Sequence, residues 1–148
     1  MKNIDMRSYA LGVCDAFCEV VRAGVKRVAL SHPFTDEELQ TELGTDFPEA
    51  AAEIAKKNGV KSYHLTEPIL SDLFPISMNL GKQNIIFYRL EEDLEEMLAI
   101  QRDKNALQAA GKYTGEARRQ IAVRYGHVLS YSDEAIERYL TQNSEREA

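Results

Sequence analysis

Polar residues in the first segment of the chain recur at alternating spacings of four and three positions: Ser8, Gly12, Asp15, Glu19 and Arg22. Most of the other positions between residues 4 and 23 are apolar. This pattern predicts an α-helix with one narrow polar stripe, because residues at these spacings share one face of a helix. Gly24 follows the helix, and glycine readily adopts the left-handed conformation that often ends one. We expect other elements to cover most of the helix surface.

A short motif occurs twice in the chain. Residues 24–33 and residues 59–68 both match the pattern G-V-K-x-x-x-L-[ST]-x-P, thirty-five positions apart. Each copy follows a helical pattern, which for the second copy covers residues 47–57. Alternating apolar residues before a proline predict one short strand in each copy. Strands joined through a helical connection are most simply parallel neighbours, so we expect these two strands to pair in that way.

The rest of the chain predicts a further central strand and a helical end. Residues 84–88 form a largely apolar run, which is typical of a central strand. We also predict a short strand at residues 69–75, and the prolines that bracket it would confine it to an edge of the sheet. Helical patterns occupy residues 35–44, 90–111, 115–128 and 133–141. We therefore predict an α/β fold with a small mixed or parallel sheet of about three to four short strands, flanked by helices, and a helical C-terminal third.

Length and composition are those of a single globular domain. The chain has 148 residues, of which 44% are hydrophobic and 28% charged. Within the predicted domain, residues 1–89 hold the repeat and the sheet, residues 90–141 the C-terminal helices, and residues 142–148 a tail that we expect to fray. The polar N-terminus and the lack of a long apolar run predict a cytoplasmic protein with no membrane partner.

Cysteine spacing and net charge narrow the classes of function. Cys14 and Cys18 lie one helical turn apart among apolar residues, so we interpret them as reduced thiols in the core. A net charge of −6 opposes phosphate attraction, and we expect no nucleic-acid partner. The basic tract at 112–124 is interpreted as the ion-pair partner of the acidic run at 91–96, within one chain or between subunits.

Candidate chemistry lies at the ends of the two repeated strands. His32 follows Ser31, and Glu67 follows Thr66, at matching positions of the motif. In an open parallel sheet, ligands bind beyond the carboxyl ends of the strands. We therefore name His32 and Glu67 as candidate catalytic residues, since a carboxylate raises the basicity of a neighbouring histidine. Ser31, Thr66 and Asp72 are candidate ligand-binding residues, although both hydroxyls are equally suited to capping a loop.

Two hypotheses of function follow. The motifs of nucleotide-binding loops, serine hydrolases and zinc proteases are missing, and His64 and His127 are weaker candidates than His32, so we expect no cofactor and no resident metal. The leading hypothesis is an interaction or assembly module that forms a homo-oligomer through its apolar first helix and its charged faces. The alternative is a small-molecule or metal-dependent enzyme with its site around His32 and Glu67, for which a small molecule would be the ligand.

Overall fold

The computed structural model describes residues 3–148, which form six α-helices and one three-stranded sheet. The helices are α1 (Met6–Arg22), α2 (Asp36–Glu38), α3 (Phe47–Lys57), α4 (Glu91–Ala109), α5 (Gly115–Val128) and α6 (Asp133–Gln142). The strands are β1 (Val28–Leu30), β2 (Lys61–Leu65) and β3 (Asn84–Tyr88). A π-helical turn, Leu39–Leu43, continues α2, and a 3-10 turn covers Ile76–Met78. The predicted α/β class and the helical C-terminal third are confirmed.

The sheet is antiparallel, with the strand order β1-β3-β2. Val28 of β1 and Lys61 of β2 both face Tyr88 of β3, on its opposite sides. The repeated strands therefore run in the same direction but are not neighbours, and the expected parallel pairing is wrong. All five residues of β3 are buried, which suits the central position that the sequence predicted for it.

Helix ends follow the sequence signals. Gly24 has a φ of 79° directly after α1, as its position predicted. At α2 the Thr35 hydroxyl accepts a hydrogen bond from the Glu38 amide, and the Glu38 carboxylate accepts one from the Thr35 amide. At α6 the Ser132 hydroxyl accepts from an amide in the first turn, 3.1 Å away. These local bonds set where each helix begins and ends.

The chain forms two compact units. The first, called the sheet unit here, comprises residues 3–68 and 81–89, and the second, the helical unit, comprises residues 69–80 and 90–148. That the two form a single domain stays a prediction. In the residues that the structure describes, no helix combines the length and the apolar character needed to cross a lipid bilayer.

The core of the sheet unit is apolar. Cys14 and Cys18 of α1 pack there with Phe47 of α3 and Phe87 of β3, and all four side chains are buried. Both cysteines are free, as predicted. Burial disfavours the thiolate, so it raises the pKa of Cys14 to about 11 and that of Cys18 to about 12.

In the helical unit α5 packs against α4 and α6, and an aromatic cluster joins α5 to α6. The ring of Phe74 meets three tyrosine rings edge-on at centroid distances of 5.6 to 6.2 Å: Tyr125, Tyr131 and Tyr139. Helices α5 and α6 approach closely at Gly126, where an added Cβ would lie 2.5 Å from the Cγ1 atom of Ile136. Only a residue without a side chain allows this spacing.

Residues 69–75 form a loop in the helical unit, so the predicted edge strand is wrong. Side chains rather than a neighbouring strand take up its carbonyl groups. Lys104 Nζ donates to the Leu70 oxygen over 2.6 Å, and Asn143 Nδ2 donates to the Asp72 and Phe74 oxygens over 2.9 and 3.1 Å. Asn143 belongs to the tail that we expected to fray, and it is buried.

Candidate functional site

His32 and Glu67 lie after β1 and β2 at one end of the sheet unit, but the fold does not bring them together. The shared partner Tyr88 places Val28 level with Lys61, an offset of thirty-three residues, whereas the sequence motif repeats after thirty-five. Glu67 thus lies two residues beyond the level of His32, with β3 between the strands, so the backbones are roughly 10 Å apart. Both side chains are exposed, and no hydrogen bond or ion pair joins them within residues 3–148.

The other predicted residues have different surroundings. Ser31 is buried, and its hydroxyl accepts from the Ile85 amide over 2.9 Å and donates to the His32 oxygen over 3.2 Å. It therefore extends the pairing of β1 with β3. Thr66 is exposed in a bend. Asp72 lies in the helical unit, so it is not part of the strand ends where we expected it. A ligand-binding role for these three residues stays a prediction.

A cavity of about 70 Å³ lies beside His32 in the sheet unit, and we call it the α1 cavity. Its buried lining is mostly apolar, formed by Phe34, Leu43 and Phe47, and also includes the polar residue Ser31. Its exposed lining combines apolar and polar groups: Met6, Tyr9, His32 and Glu42. Tyr9 is 56% exposed, so an aromatic ring stands in solvent at the edge of an apolar hollow.

Arg7 holds the N-terminal end of α1 against the turn before α3. These two segments border the α1 cavity. Its Nη1 donates to the Leu43 oxygen over 2.6 Å and to Asp46 Oδ1 over 2.8 Å. These hydrogen bonds lower the pKa of Asp46, because they favour the carboxylate. Gly44, with a φ of 93°, lies so close that an added Cβ would be 2.6 Å from Arg7 Nη1. The positive φ is the reason that this turn favours glycine, and a larger residue would also displace the end of the Arg7 side chain.

Three polar side chains form a hydrogen-bonded chain next to the cavity wall, and the sequence analysis did not predict it. The side-chain nitrogen of Gln83 donates a hydrogen bond to Asp36. The side-chain oxygen of Gln83 must therefore face His64 Nε2, which lies 2.7 Å away. His64 Nε2 therefore carries the hydrogen. The His64 ring stacks on Phe34 at a centroid distance of 6.2 Å. No spacing in the sequence links these residues, because they come from three separate segments.

The opposite end of the sheet unit carries an exposed valine. Val25, 70% exposed, follows α1, and its amide donates to the Val20 oxygen over 3.2 Å, which orders the turn. Helix α1 has seventeen residues, so Val25 stands roughly 25 Å along the helix axis from Met6 at the cavity. One end of the unit thus has an apolar hollow, and the other has an apolar projection.

The two ends also differ in charge. Arg22, Lys56 and Lys57 end α1 and α3 on the side of Val25, and all three are exposed. Exposed Glu37 and Glu42 follow β1 on the side of the α1 cavity. The three bases suit the dipoles of α1 and α3, and Glu37 suits that of α2, because the dipole favours acids at the N-terminus and bases at the C-terminus. The sheet unit consequently has a basic and an acidic end.

No family model, curated protein or solved structure matches the chain. Within residues 3–148, no group of three or more His, Cys, Asp or Glu side chains is arranged to hold a metal ion. The shape and the charge of each unit are therefore the guides to function.

Proposed function

We propose that this chain is an assembly module whose copies associate head to tail through the sheet unit. One observation carries the proposal: the same unit has the α1 cavity at its acidic end and the exposed Val25 at its basic end. In the proposed contact, Val25 of one copy enters the α1 cavity of the next. This deepens the hypothesis of a homo-oligomer by naming the two surfaces.

Shape supports this contact. The α1 cavity is small and mostly apolar, and valine is a small, stiff side chain that loses little rotamer freedom when buried. The turn that carries Val25 is ordered by backbone hydrogen bonds to Val20 and Val21. Exposed Met6 and Tyr9 would cover the inserted side chain from the cavity edge. Such preorganised partners gain affinity because little ordering is required on association.

Charge supports the same orientation. Arg22 of one copy would approach the acidic edge at Glu37 and Glu42 of the next, whereas two equivalent ends would repel each other. Because the two surfaces differ and lie at opposite ends of the unit, the contact is heterologous and continues into rings or filaments. Self-association should weaken as salt rises, since exposed charges are screened.

The first test replaces Val25 by glutamate. V25E places a charge where an apolar side chain must be buried, so we expect self-association to weaken at least roughly tenfold. Light scattering after size-exclusion chromatography, over a range of concentrations, measures the mass. The matched control is L80E, because Leu80 is also an exposed apolar residue, at 59%, but lies in the helical unit. Equal masses for V25E and the unaltered protein contradict the proposal.

A mixing experiment tests the head-to-tail geometry itself. Y9E should block the α1 cavity edge, as V25E blocks the projecting end, and each variant alone should be monomeric. Mixed together, V25E and Y9E still have one intact surface each, so they should form a one-to-one dimer and stop there. A mixture that stays monomeric rules out a heterologous contact between these surfaces.

The enzyme hypothesis is kept as the second candidate because His32 lines the α1 cavity. In that case a small molecule would bind there, with His32 as the base and without Glu67 as a direct partner. H32Q should then abolish ligand-induced thermal stabilisation while leaving the mass unchanged. The cytoplasmic location is also proposed, and two free thiols in the core support it, since disulfides predominate in oxidising compartments.

A further inference from the structure

The helical unit contains a larger cavity, of about 490 Å³, which we call the arginine cavity. Three guanidinium groups line it, together with two carboxylates: Arg118, Arg119, Arg146, Asp72 and Glu147. Its size is within the range of sites for small molecules. Arginine is the residue best suited to recognise phosphate and carboxylate groups, because its planar fork donates several hydrogen bonds at once.

Arg118 is held in place before any ligand arrives. Its Nε and Nη2 donate to the two carboxylate oxygens of Asp72 over 2.7 and 2.8 Å, and Nη2 also donates to the Glu147 backbone oxygen over 2.8 Å. The guanidinium carbon lies 4.8 Å from the centroid of the Tyr113 ring. These contacts use Nε and Nη2 and leave Nη1 without a hydrogen-bond partner in the part of the chain that the structure describes.

The other two arginines also keep donors for a ligand. Arg119 pairs with Glu137 through Nη2 alone, and Arg146 donates from Nη2 to the Leu140 oxygen over 2.6 Å. The Nη1 atom of Arg146 stays 3.9 Å from Asp72, beyond hydrogen-bond distance. Three guanidinium groups therefore retain unused N–H groups around one hollow.

The charge of this cluster is unbalanced. Among the side chains that line the cavity, three guanidinium groups meet two carboxylates, those of Asp72 and Glu147. Lys104 is itself satisfied, since Nζ lies 2.6 Å from Glu147 and from the Leu70 oxygen. The surplus positive charge consequently belongs to the guanidinium groups that line the cavity. A bound anion would balance it.

The start of α5 adds further donors. Gly115, the first residue of this fourteen-residue helix, lines the arginine cavity, and the Thr114 side chain makes no capping hydrogen bond. The first amides of a helix have no partner within it and attract anions. We infer that the arginine cavity binds a small molecule carrying a phosphate group, which is held by the free guanidinium donors and by the first amides of α5.

Calorimetry on the full chain tests this inference. Inorganic phosphate and glycerol 3-phosphate are titrated at constant ionic strength, and glycerol is the uncharged comparison. Both phosphates should bind at a single saturable site, and glycerol should not bind. The absence of saturable binding of either phosphate at millimolar concentration would overturn the inference.

Two cavity variants and a matched control localise the binding. R119Q and R146Q each remove one lining cation but leave the two hydrogen bonds between Arg118 and Asp72 in place, so each should weaken phosphate binding roughly tenfold. R138Q has the same charge change on the exposed partner of Glu134, outside the arginine cavity, and should bind like the unaltered protein. An equal loss in all three variants means a general charge effect and contradicts a site.

Amide chemical shifts provide a readout independent of charge variants. The amides of Gly115 and Glu116 should shift with the same saturation as the calorimetric heat. Shifts confined to other parts of the chain overturn the placement of the ligand at α5.

Discussion

The sheet unit and the helical unit bury polar groups of different kinds. Among residues 3–148, the buried polar side chains of the sheet unit are neutral: Ser31, Gln83 and Asn84. Those of the helical unit include three charged groups: Asp72, Asp93 and Lys104. The stability of the sheet unit therefore depends mainly on apolar packing. The free energy of such packing changes gradually, in rough proportion to the apolar area that is removed from water. The helical unit depends in addition on pairings that must be complete.

This difference matters because a buried charge is costly when its partner is missing. A complete buried ion pair contributes little net stability, whereas removing one partner leaves the other charge without compensation. Asp72 illustrates the point, since it is 4% exposed and receives two hydrogen bonds from Arg118. A single substitution that removes one partner of a buried ion pair in the helical unit should therefore lower the stability more than a comparable substitution in the sheet unit.

The largest expected effect is the loss of Arg118. R118M leaves the Asp72 carboxylate buried with Arg146 at 3.9 Å as its remaining cation, so the free energy of unfolding should fall by about 3–5 kcal/mol. Urea denaturation followed by circular dichroism measures this change. The double variant R118M/D72L should recover most of the loss, because no buried carboxylate is then left without its partner.

The matched change in the sheet unit is R7M. Arg7 pairs with Asp46, whose side chain is 69% exposed, so the same arginine-to-methionine substitution should lower the free energy of unfolding much less than R118M does. If R7M and R118M cost the same, the contrast between the two units is wrong.

The same contrast explains how far the sequence predicted the fold. Helix α1, strand β3 and the capping box at Thr35 were predicted because each depends on neighbours a few positions away. The loop at 69–75 was not, because its carbonyls bond to Lys104 and Asn143, and these partners are distant in sequence. Buried polar groups of the helical unit thus give no local signal.

The candidate site shows the same limit. The repeated motif correctly placed His32 and Glu67 after strands of the same direction. Their separation depends on β3 entering between β1 and β2 and on a register two residues away from the sequence alignment. Met6 and Tyr9 were interpreted as part of an apolar helix, and only their exposure in the fold marks them as the edge of the α1 cavity.

Alkaline pH should distinguish the units through their titrating groups. The pKa values of Cys14 and Cys18 lie above the ordinary 9.0, so the fold favours the neutral thiols. Their contribution to stability is complete below pH 9 and is lost as pH rises toward 11 to 12, because the unfolded chain releases its protons first. The expected loss by pH 10 is about 1 kcal/mol per thiol.

In the helical unit, burial raises the pKa of Tyr113 from 10.0 to about 12 and also raises the pKa values of Tyr125 and Tyr131, so their effects have the same sign but begin one pH unit higher. Urea midpoints at pH 8, 9 and 10 therefore report mainly on the thiols. In the variant C14A/C18A the decline between pH 9 and 10 should fall by more than half, and the rest belongs to the tyrosines of the helical unit. If the variant loses as much stability between pH 9 and 10 as the unaltered protein, groups other than the two thiols cause the loss, and alkaline pH does not distinguish the units.

The smallest expected effects come from two helical glycines, one in each unit. Gly12 in α1 has no atom within 4 Å of an added Cβ, so G12A should stabilise the protein by about 0.5–1 kcal/mol through helix propensity. The same propensity gain applies to G126A, but its new methyl group would lie 2.5 Å from Ile136 Cγ1 in a buried contact. Overpacking costs about 1–3 kcal/mol, so G126A should be destabilising by about 1 kcal/mol. Thermal unfolding of both variants measures the signs, and equal signs would mean that α5 and α6 can move apart without cost.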